Sequence, residues 1–372
     1  MVSNDSKNER KVVVAMSGGV DSSVAACLLK EQGYEVMGLF MRTGVQAPEP
    51  PASCSPTAEP TRERRGCCSA SDAADARFVA GQLGVPFFAL NFEREFDSLI
   101  DYFADEYAAG RTPNPCVVCN DRLKFGKIID YADVVGARYI ATGHYARTGE
   151  QGGRRTLMRG IDRKKDQSYV LFGIGRNVLD RVMFPIGELE KPEVREIAGR
   201  LDLPNRNKPD SVEICFAPDN DYARVVRERR PDAFRPGEVV DTDGKKLGEH
   251  DGVGHFTVGQ RRGLGIAAGH PIYVTQLNAS SNTVTVGESQ NLLADHLLAS
   301  KVSYLLPCGD APFQADVKIR YLHEPAPATV TPLSDSTVRV DFGEPQRAVT
   351  PGQAVVFYDG ETVLGGGWID HS

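Results

Sequence analysis

"KVVVAMSGGVDSSVAACLLKEQGY", residues 11–34, decides the fold. The β-branched run Val12–Val14 stands directly before a small polar knot, Ser17-Gly18-Gly19-Val20-Asp21-Ser22-Ser23. Behind the knot, Val24, Cys27 and Leu28 recur at helical spacing until Gly33. Strand, tight turn and helix in that order open a sheet of mainly parallel strands covered by helices. Backbone N–H groups of such a turn converge with the helix N-terminus on a site that favours anions. The glycines let the backbone come close to phosphate oxygens, and Ser17, Ser22 and Ser23 bring hydroxyls without bulk. Asp21 would repel a phosphate, so its expected task is to hold a Mg²⁺ that neutralises one. The knot lacks the lysine of G-x-x-x-x-G-K-[ST], the loop that grips β- and γ-phosphates. It is expected instead to seat the pyrophosphate that leaves when ATP gives AMP to a substrate.

The alternation of strand and helix continues outward. Glu35–Met41 reads as a strand, Ser71–Leu83 as a helix, Pro86–Asn91 as extended, Glu95–Ala109 and Leu123–Val135 as helices, and Arg138–Thr142 as a strand. Residues 44–66, rich in Pro, Glu, Ser and Thr, are expected to form a mobile loop. Residues 1–210 therefore predict an α/β nucleotide-type domain. Gly-rich text with short extended pieces predicts a small central domain at 211–275. From 276 to 372, stretches such as VTVGE, ATVTPL, TVRVDF and AVVFYDG predict a C-terminal β-barrel domain.

A chain of 372 residues has room for two or three such units. No stretch approaches the roughly 20 apolar residues of a membrane span, and MVSNDSKNER lacks the apolar segment of a secretory signal. A cytoplasmic location with no membrane partner is the expectation. Eight cysteines in this length are too sparse for a disulfide scaffold, so they are expected as thiols unless chemistry uses them. The net charge of −7 argues against indiscriminate coating of nucleic acid. Local basic clusters nevertheless occur, at Arg154–Lys165, at Arg227, Arg229 and Arg230, at Lys245–Lys246 and at Arg261–Arg262. Each is either a solvated charged face or part of a surface for a phosphate-rich partner.

The SGGVDSS knot after VVVAM resembles the signature of the PP-loop ATP-pyrophosphatases, which activate a carbonyl or carboxyl oxygen by adenylation. Six further stretches narrow the likeness: "GCCSASDAADARFVAGQLGVPFFALNFEREF" (66–96), "GRTPNPCVVCNDRLKF" (110–125), "ATGHYAR" (141–147), "KDQSYVLF" (165–172), "KPDSVEICF" (208–216) and "VGQRRGLGI" (258–266). Together they look like the bacterial tRNA-specific 2-thiouridylases, and the likeness runs in order from residue 11 to about 321. The resemblance implies a HUP-like α/β domain. It also implies a sulfurtransferase that replaces the 2-oxygen of the wobble uridine in tRNA by sulfur, using ATP and Mg²⁺. Oxygen leaves poorly, so ATP first adenylates it, pyrophosphate departs, and a sulfur nucleophile then attacks C2. Thiolate is the reactive form of cysteine and exchanges sulfur through disulfide-type intermediates.

Matched residue by residue, the resemblance makes Cys215 the persulfide carrier and Cys119 the partner nucleophile, with an alternate Cys119–Cys215 disulfide. Some relatives carry Asp where this chain has Cys116, which leaves two thiols as candidates for attack; Cys119 is the choice. Ala15, Met16, Ser17, Gly18, Gly19, Val20, Asp21, Ser22, Met41 and Gly143 are implied to contact ATP. Asn114, Pro115 and Cys116 would surround the target base, which must leave the anticodon stack to be reached. Lys165, Asp166, Gln167, Arg320 and Tyr321 correspond to tRNA contacts, although periodicity alone makes the last two an ordinary barrel strand. Mg²⁺ is expected through ATP and Asp21, with no metal site built by protein alone, and a cysteine desulfurase or relay protein is expected to supply sulfur. His144, in a turn after a strand, is read as a structural or phosphate contact, Cys27 as part of a helix core face, Cys54 as lying in the mobile segment, Cys308 as preceding a turn, and Cys67–Cys68 as a subgroup pattern. Two other functions share parts of this text. A PP-loop ligase of the argininosuccinate or GMP synthetase kind would need no distant cysteine pair, and a non-catalytic RNA binder would have no use for Asp21.

Overall fold

The computed structural model describes residues 9–44, 69–210 and 214–371. Beyond Gly44, the loop expected at 44–66 lies outside the described residues, as do Cys54, Cys67 and Cys68.

The N-terminal unit is built from strand β1 (Lys11–Ala15), helix α1 (Val20–Glu31), β2 (Glu35–Arg42), α2 (Ala70–Leu83), β3 (Phe87–Asn91) and α3 (Glu93–Ala108). It continues through α4 (Pro115–Val118), α5 (Ile128–Val134), β4 (Tyr139–Thr142), the hairpin β5 (Ala146–Gln151) and β6 (Arg154–Arg159), β7 (Val182–Met183) and α6 (Lys191–Arg200). Strands β3-β2-β1-β4-β7 pair in parallel. Successive side chains of β1 point to opposite faces. Val12 and Val14 pack with Val24, Leu29, Val79 and Ala198 of the helices on one side, while Val13 packs with Phe125, Ile128 and Ile140 on the other. Burial on both faces explains why β1 is written as an unbroken apolar run. The chain moves from β1 outward through β2 and β3, then returns to the opposite side of β1 as β4. That reversal opens a crevice at the carboxyl ends of β1 and β4, where open α/β sheets take their ligands.

After α7 (Tyr222–Arg229), four strands, β8 (Gly237–Val240), β9 (Lys246–His250), β10 (Tyr273–Asn278) and β11 (Thr283–Gly287), form a separate sheet in the order β10-β11-β8-β9. It encloses its own core of Val239, Phe256, Val274, Val284 and Val286. A break at 275/276 falls inside β10, and the VTVGE stretch read as barrel belongs to this sheet. Short strands look alike in sequence, and only their partners assign them: β11 pairs with β10 antiparallel and with β8 in parallel.

The last unit is β12 (Leu293–Tyr304), β13 (Phe313–Lys318), β14 (Ala326–Ser334), β15 (Thr337–Arg347), β16 (Ala354–Asp359) and β17 (Thr362–His371). Their order β12-β15-β14-β13-β16-β17 closes through a β12–β17 pairing into a six-stranded barrel. The hairpin β5–β6 of the N-terminal unit hooks onto β17 by the pair Thr362↔Met158. The two units also share apolar contacts: Leu305, Val356, Tyr358 and Val363 sit in one cluster with Phe172, Tyr169 and Leu171. The ring of Trp368 meets Tyr102 and Phe172 at 6.3 and 6.4 Å.

Candidate functional site

The knot is held from three sides. Gly18 adopts φ +76°, and a Cβ there would lie 2.2 Å from the Asp72 carbonyl oxygen, so the turn admits only glycine. Gly143, just past β4, passes so close to the start of α1 that a Cβ would lie 2.6 Å from the Ser22 nitrogen. Two of the three hydroxyls expected to meet phosphate are turned inward. Ser22 Oγ accepts from Ser17 N at 3.2 Å and donates to the Gly19 carbonyl at 3.1 Å. Ser23 is fully buried, donating to Gly19 O at 3.0 Å and accepting from Asn205 Nδ2 at 2.9 Å. Met16 and Val20 are buried as well. Ala15, Met41 and Gly143 stand at or just past the carboxyl ends of neighbouring strands.

Charged groups absent from the sequence-based expectations complete the knot. Lys191, the first residue of α6, donates to Asp21 Oδ1 and Oδ2 at 2.7 and 2.9 Å and pairs with Asp210 at 2.7 Å. Asp21 also accepts from the Tyr145 hydroxyl at 2.9 Å. Asp210 draws Lys165 at 2.7 Å and Arg195 at 3.2 Å. Burial works to raise the Asp210 carboxyl, but hydrogen bonds from Lys165 and Lys191 outweigh it and hold it below the usual carboxylate range. Beneath the turn, Asn205 Nδ2 and Lys208 Nζ both donate to the Gly18 carbonyl, at 3.0 and 3.1 Å. Lys208 is itself clasped by Asp72 at 2.6 Å and Asp75 at 2.7 Å. The stretch KPDS was legible as a motif, yet nothing in its spacing said that Lys208 and Asp210 reach back to residues 18 and 21.

The cysteine-bearing loop starts at Asn114, whose side chain caps α4 by accepting from Val117 N at 3.3 Å, with Pro115 at the first helical position. Both are ordinary helix-start signals that the sequence carried. Cys116 is exposed on α4, and Cys119 opens a wide-turn π-helix over Cys119–Lys127. Such turns cluster at functional sites because the extra residue re-aims side chains. Barrel residues clamp the approach to this loop. Gln353 Nε2 donates to the Thr112 and Pro113 carbonyls at 3.0 and 3.1 Å, and Thr112 N donates to Pro351 O at 2.8 Å. Cys215 and Cys119 pack against one apolar cluster of Phe96, Leu99, Phe103, Val118 and Phe216. Burial, with Lys124 beside it, holds His144 well below its usual range, so this imidazole is neutral and bonded to Thr142 Oγ1 at 2.7 Å.

The stretches expected at tRNA also converge. Tyr169 and Tyr321 bring their rings to 6.5 Å, the Tyr169 hydroxyl donates to the Ala354 carbonyl at 2.8 Å, and Asn120 of the cysteine loop donates to the Val170 carbonyl at 3.0 Å. Arg320 and Tyr321 lie in the turn after β13 rather than on a strand. Asp166 faces inward: 3% exposed, it accepts from Arg159 Nε, Gly160 N and Ser168 N at 3.0, 3.1 and 3.0 Å. Gln167 Oε1 accepts from Tyr145 N at 2.9 Å.

Most of the basic clusters are paired internally. Arg229 and Arg230 meet Asp97, Asp101 and Asp105 of α3. Arg227 covers the Phe234 ring at 4.6 Å, Arg163 pairs with Glu361, and Lys246 pairs with Glu238 and Glu249. Arg261 and Arg262 remain exposed. Among the described residues no helix is long and apolar enough to cross a membrane.

Known proteins were compared with the whole chain. Residues 10–219 match the family model described as tRNA methyl transferase HUP domain, 224–288 the tRNA methyl transferase PRC-barrel domain, and 294–369 the aminomethyltransferase β-barrel domain. The tRNA-specific 2-thiouridylase MnmA of Geotalea uraniireducens is 49% identical, with 100% of this chain and 97% of that protein covered. The protein of the same name from Geobacter metallireducens is 50% identical with 98% of each covered. That of Carboxydothermus hydrogenoformans is 47% identical, with 97% and 98% covered. A solved complex of a 4-thiouridine synthetase with RNA and ATP superposes on 60% of this chain and 50% of its own, with a TM-score of 0.35 at 17% identity, too loose a likeness to argue from.

Proposed function

The chain belongs to the tRNA-specific 2-thiouridylase family, and from that membership we propose that it adenylates the C2 oxygen of the wobble uridine of tRNA and replaces it by sulfur. The observation that carries the chemistry is the pairing of a pyrophosphate cradle at the β1–β4 crevice with two cysteines, far apart in sequence, that share one apolar cluster. In this reading the backbone of Met16–Ser22 receives the ATP phosphates, Met41 and Gly143 flank the nucleotide, and Ser17 offers its hydroxyl. Asp21 is a single carboxylate, which suits a Mg²⁺ that keeps phosphate and water as its other ligands. Among the described residues no group of three or more acidic, His or Cys side chains stands ready for a metal. In this reading Asp21 holds the ion together with ATP, and Lys191 balances the carboxylate otherwise. Mg²⁺ supplies charge neutralisation to the departing pyrophosphate.

The sulfur steps fall to the cysteines. The outer sulfur of a Cys215 persulfide attacks C2, and AMP leaves with the original oxygen. The Cys119 thiolate then attacks the Cys215 Sγ, releasing 2-thiouridine and leaving a Cys119–Cys215 disulfide for a thiol reductant. Asn114, Pro115 and Cys116 line the place of the flipped base, and Lys165, Arg320 and Tyr321 meet the tRNA. Asp166 and Gln167 act by holding that stretch in shape. A cysteine desulfurase, directly or through relay proteins, loads Cys215 in the cytoplasm. Methyl transfer, the wording of the matched domain descriptions, leaves the cysteine pair without a task.

The test is to incubate protein, ATP, Mg²⁺, a persulfide source and unmodified tRNA, and to weigh the wobble nucleoside. Sulfur in place of oxygen is expected, lost in Cys215→Ser and Cys119→Ser. An added methyl group, or product undiminished in both variants, would overturn the assignment.

A further inference from the structure

Lys318, the last residue of β13, is a buried cation that no step above uses. It is 6% exposed. Among the described residues its ammonium meets only two aromatic faces, with Nζ 5.8 Å from the Tyr169 ring centre and 5.7 Å from that of Tyr321. Two acids act on it electrostatically, Asp166 and Glu324; neither bonds it, and Asp166 is already occupied by Arg159 Nε and two backbone N–H groups. An ammonium withdrawn from water without an oxygen partner is costly to maintain, and ring faces return only part of the lost hydration. Burial pushes it below the ordinary lysine range, with Asp166 working the other way. A buried cation held against ring faces with no oxygen partner among the described residues is a functional-site candidate.

The surroundings say which. Asn120, next to Cys119, donates to the Val170 carbonyl beside Tyr169 at 3.0 Å, the Tyr169 and Tyr321 rings stand 6.5 Å apart, and Tyr321 and Leu322 are 36% and 87% exposed. A cation flanked by an accessible aromatic ring, at the edge of the cysteine loop, fits an unpaired nucleotide: phosphate on the ammonium, base on the ring. We infer that Lys318 is an anion subsite for a backbone phosphate of the tRNA anticodon loop beside the target nucleotide, with Tyr321 as the stacking face for a neighbouring base. The inference rests on tRNA being the substrate.

Full-length Lys318→Met and Lys318→Arg are compared with the parent for affinity to an unmodified transcript over a range of KCl concentrations. Loss of one single-strand phosphate contact lowers the slope of log K against log salt by about 0.7, which is about a five-fold weaker Kd at ~0.1 M salt. The same loss is expected for transcripts with wobble uridine or wobble cytidine, because phosphate carries no sequence information, and Lys318→Arg restores the slope. A slope unchanged in Lys318→Met overturns the subsite, and a lower melting temperature with that unchanged slope makes Lys318 a latch between sheet and barrel. If the parent makes no 2-thiouridine yet the slope falls, the subsite stands and the activity assignment fails. Product formed with an unchanged slope sinks the subsite alone.

Discussion

Gly143→Ala tests whether the crevice is built by backbone contact between β4 and α1. The added methyl would sit 2.6 Å from Ser22 N, 2.7 Å from the Asp21 carbonyl carbon and 2.9 Å from its oxygen. All three are backbone atoms, so no side chain can swing away, and the start of α1 must move by several tenths of an ångström. Overpacking of this kind costs about 1–3 kcal/mol, or roughly 2–10 °C in melting temperature for a unit of this size. The displaced atoms are those proposed to face the ATP phosphates, so the KM for ATP should rise together with the loss of stability. Gly81→Ala is the control of opposite sign. Gly81 lies inside α2 with nothing within 4 Å of its would-be Cβ, so alanine there should stabilise by about 0.5–1 kcal/mol and leave ATP kinetics alone. Thermal melts and ATP-dependent thiolation assays on both variants decide the matter. A Gly143→Ala protein with parental melting temperature and parental KM would refute the close-approach reasoning, whatever Gly81→Ala does.

Lys208→Met strips the cation from Asp72, which is 2% exposed, and removes one of the two donors to the Gly18 carbonyl. Leaving one partner of a mostly buried pair alone, with Ser69 still bonded to Asp72, should destabilise by about 2–3 kcal/mol, measurable by urea unfolding, and parental stability would show the clasp to be idle. His144 is neutral in the fold because burial and Lys124 depress its pKa. The unfolded chain therefore binds the extra proton first. Stability contributed by this group is complete above about pH 6.5 and declines as pH falls below it. Unfolding free energies between about pH 5 and 7.5 should show this decline in the parent and lose part of it in His144→Gln; identical profiles would mean that His144 does not titrate as the geometry requires.

The strand-knot-helix unit was legible because β1 is buried on both faces and α1 carries one apolar stripe, so local pattern and tertiary environment agree. α1 starts at Val20, inside the knot rather than behind it, because the polar Asp21-Ser22-Ser23 carries no apolar periodicity by which to place the boundary. The π-helix over Cys119–Lys127 was invisible because periodicity templates assume 3.6 residues per turn, and the stretch was read as loop running into an ordinary helix. Sheet membership was the other blind spot. The hairpin β5–β6 sits in the N-terminal text but joins the barrel, and β10 and β11 sit beside barrel text but join the central sheet. Pairing partners far along the chain decide both. The basic clusters were ambiguous for the same reason, since nothing local tells Arg229 that Asp97 waits across a helix pair. Lys191 and Lys208 escaped because a lysine in a helix cap or loop looks solvated until its acid is located.

The seam between the units bears directly on the chemistry. A persulfide cysteine and an adenylated base must be enclosed together, away from water and stray thiols, and the α/β sheet alone offers only one wall. The barrel supplies the rest. Pro351 and Gln353 hold Thr112 and Pro113, from which the loop of Asn114, Cys116 and Cys119 projects. Trp368 touches Cys119's apolar cluster while meeting Tyr102 edge to face, and Tyr358 bonds Ser168 at 3.2 Å beside the 165–169 stretch. On the other side, Asn205, Lys208 and Asp210 tie the segment leading toward Cys215 to the floor of the nucleotide turn. Cys119 and Cys215 pack against one shared cluster of Phe96, Phe103 and Phe216, with Trp368 of the barrel at its edge. In the proposed reaction Cys119 must reach the Cys215 sulfur once the outer sulfur has gone to C2, and contacts from both the barrel and the α/β unit around these thiols give a physical reason for the units to be fused in one chain.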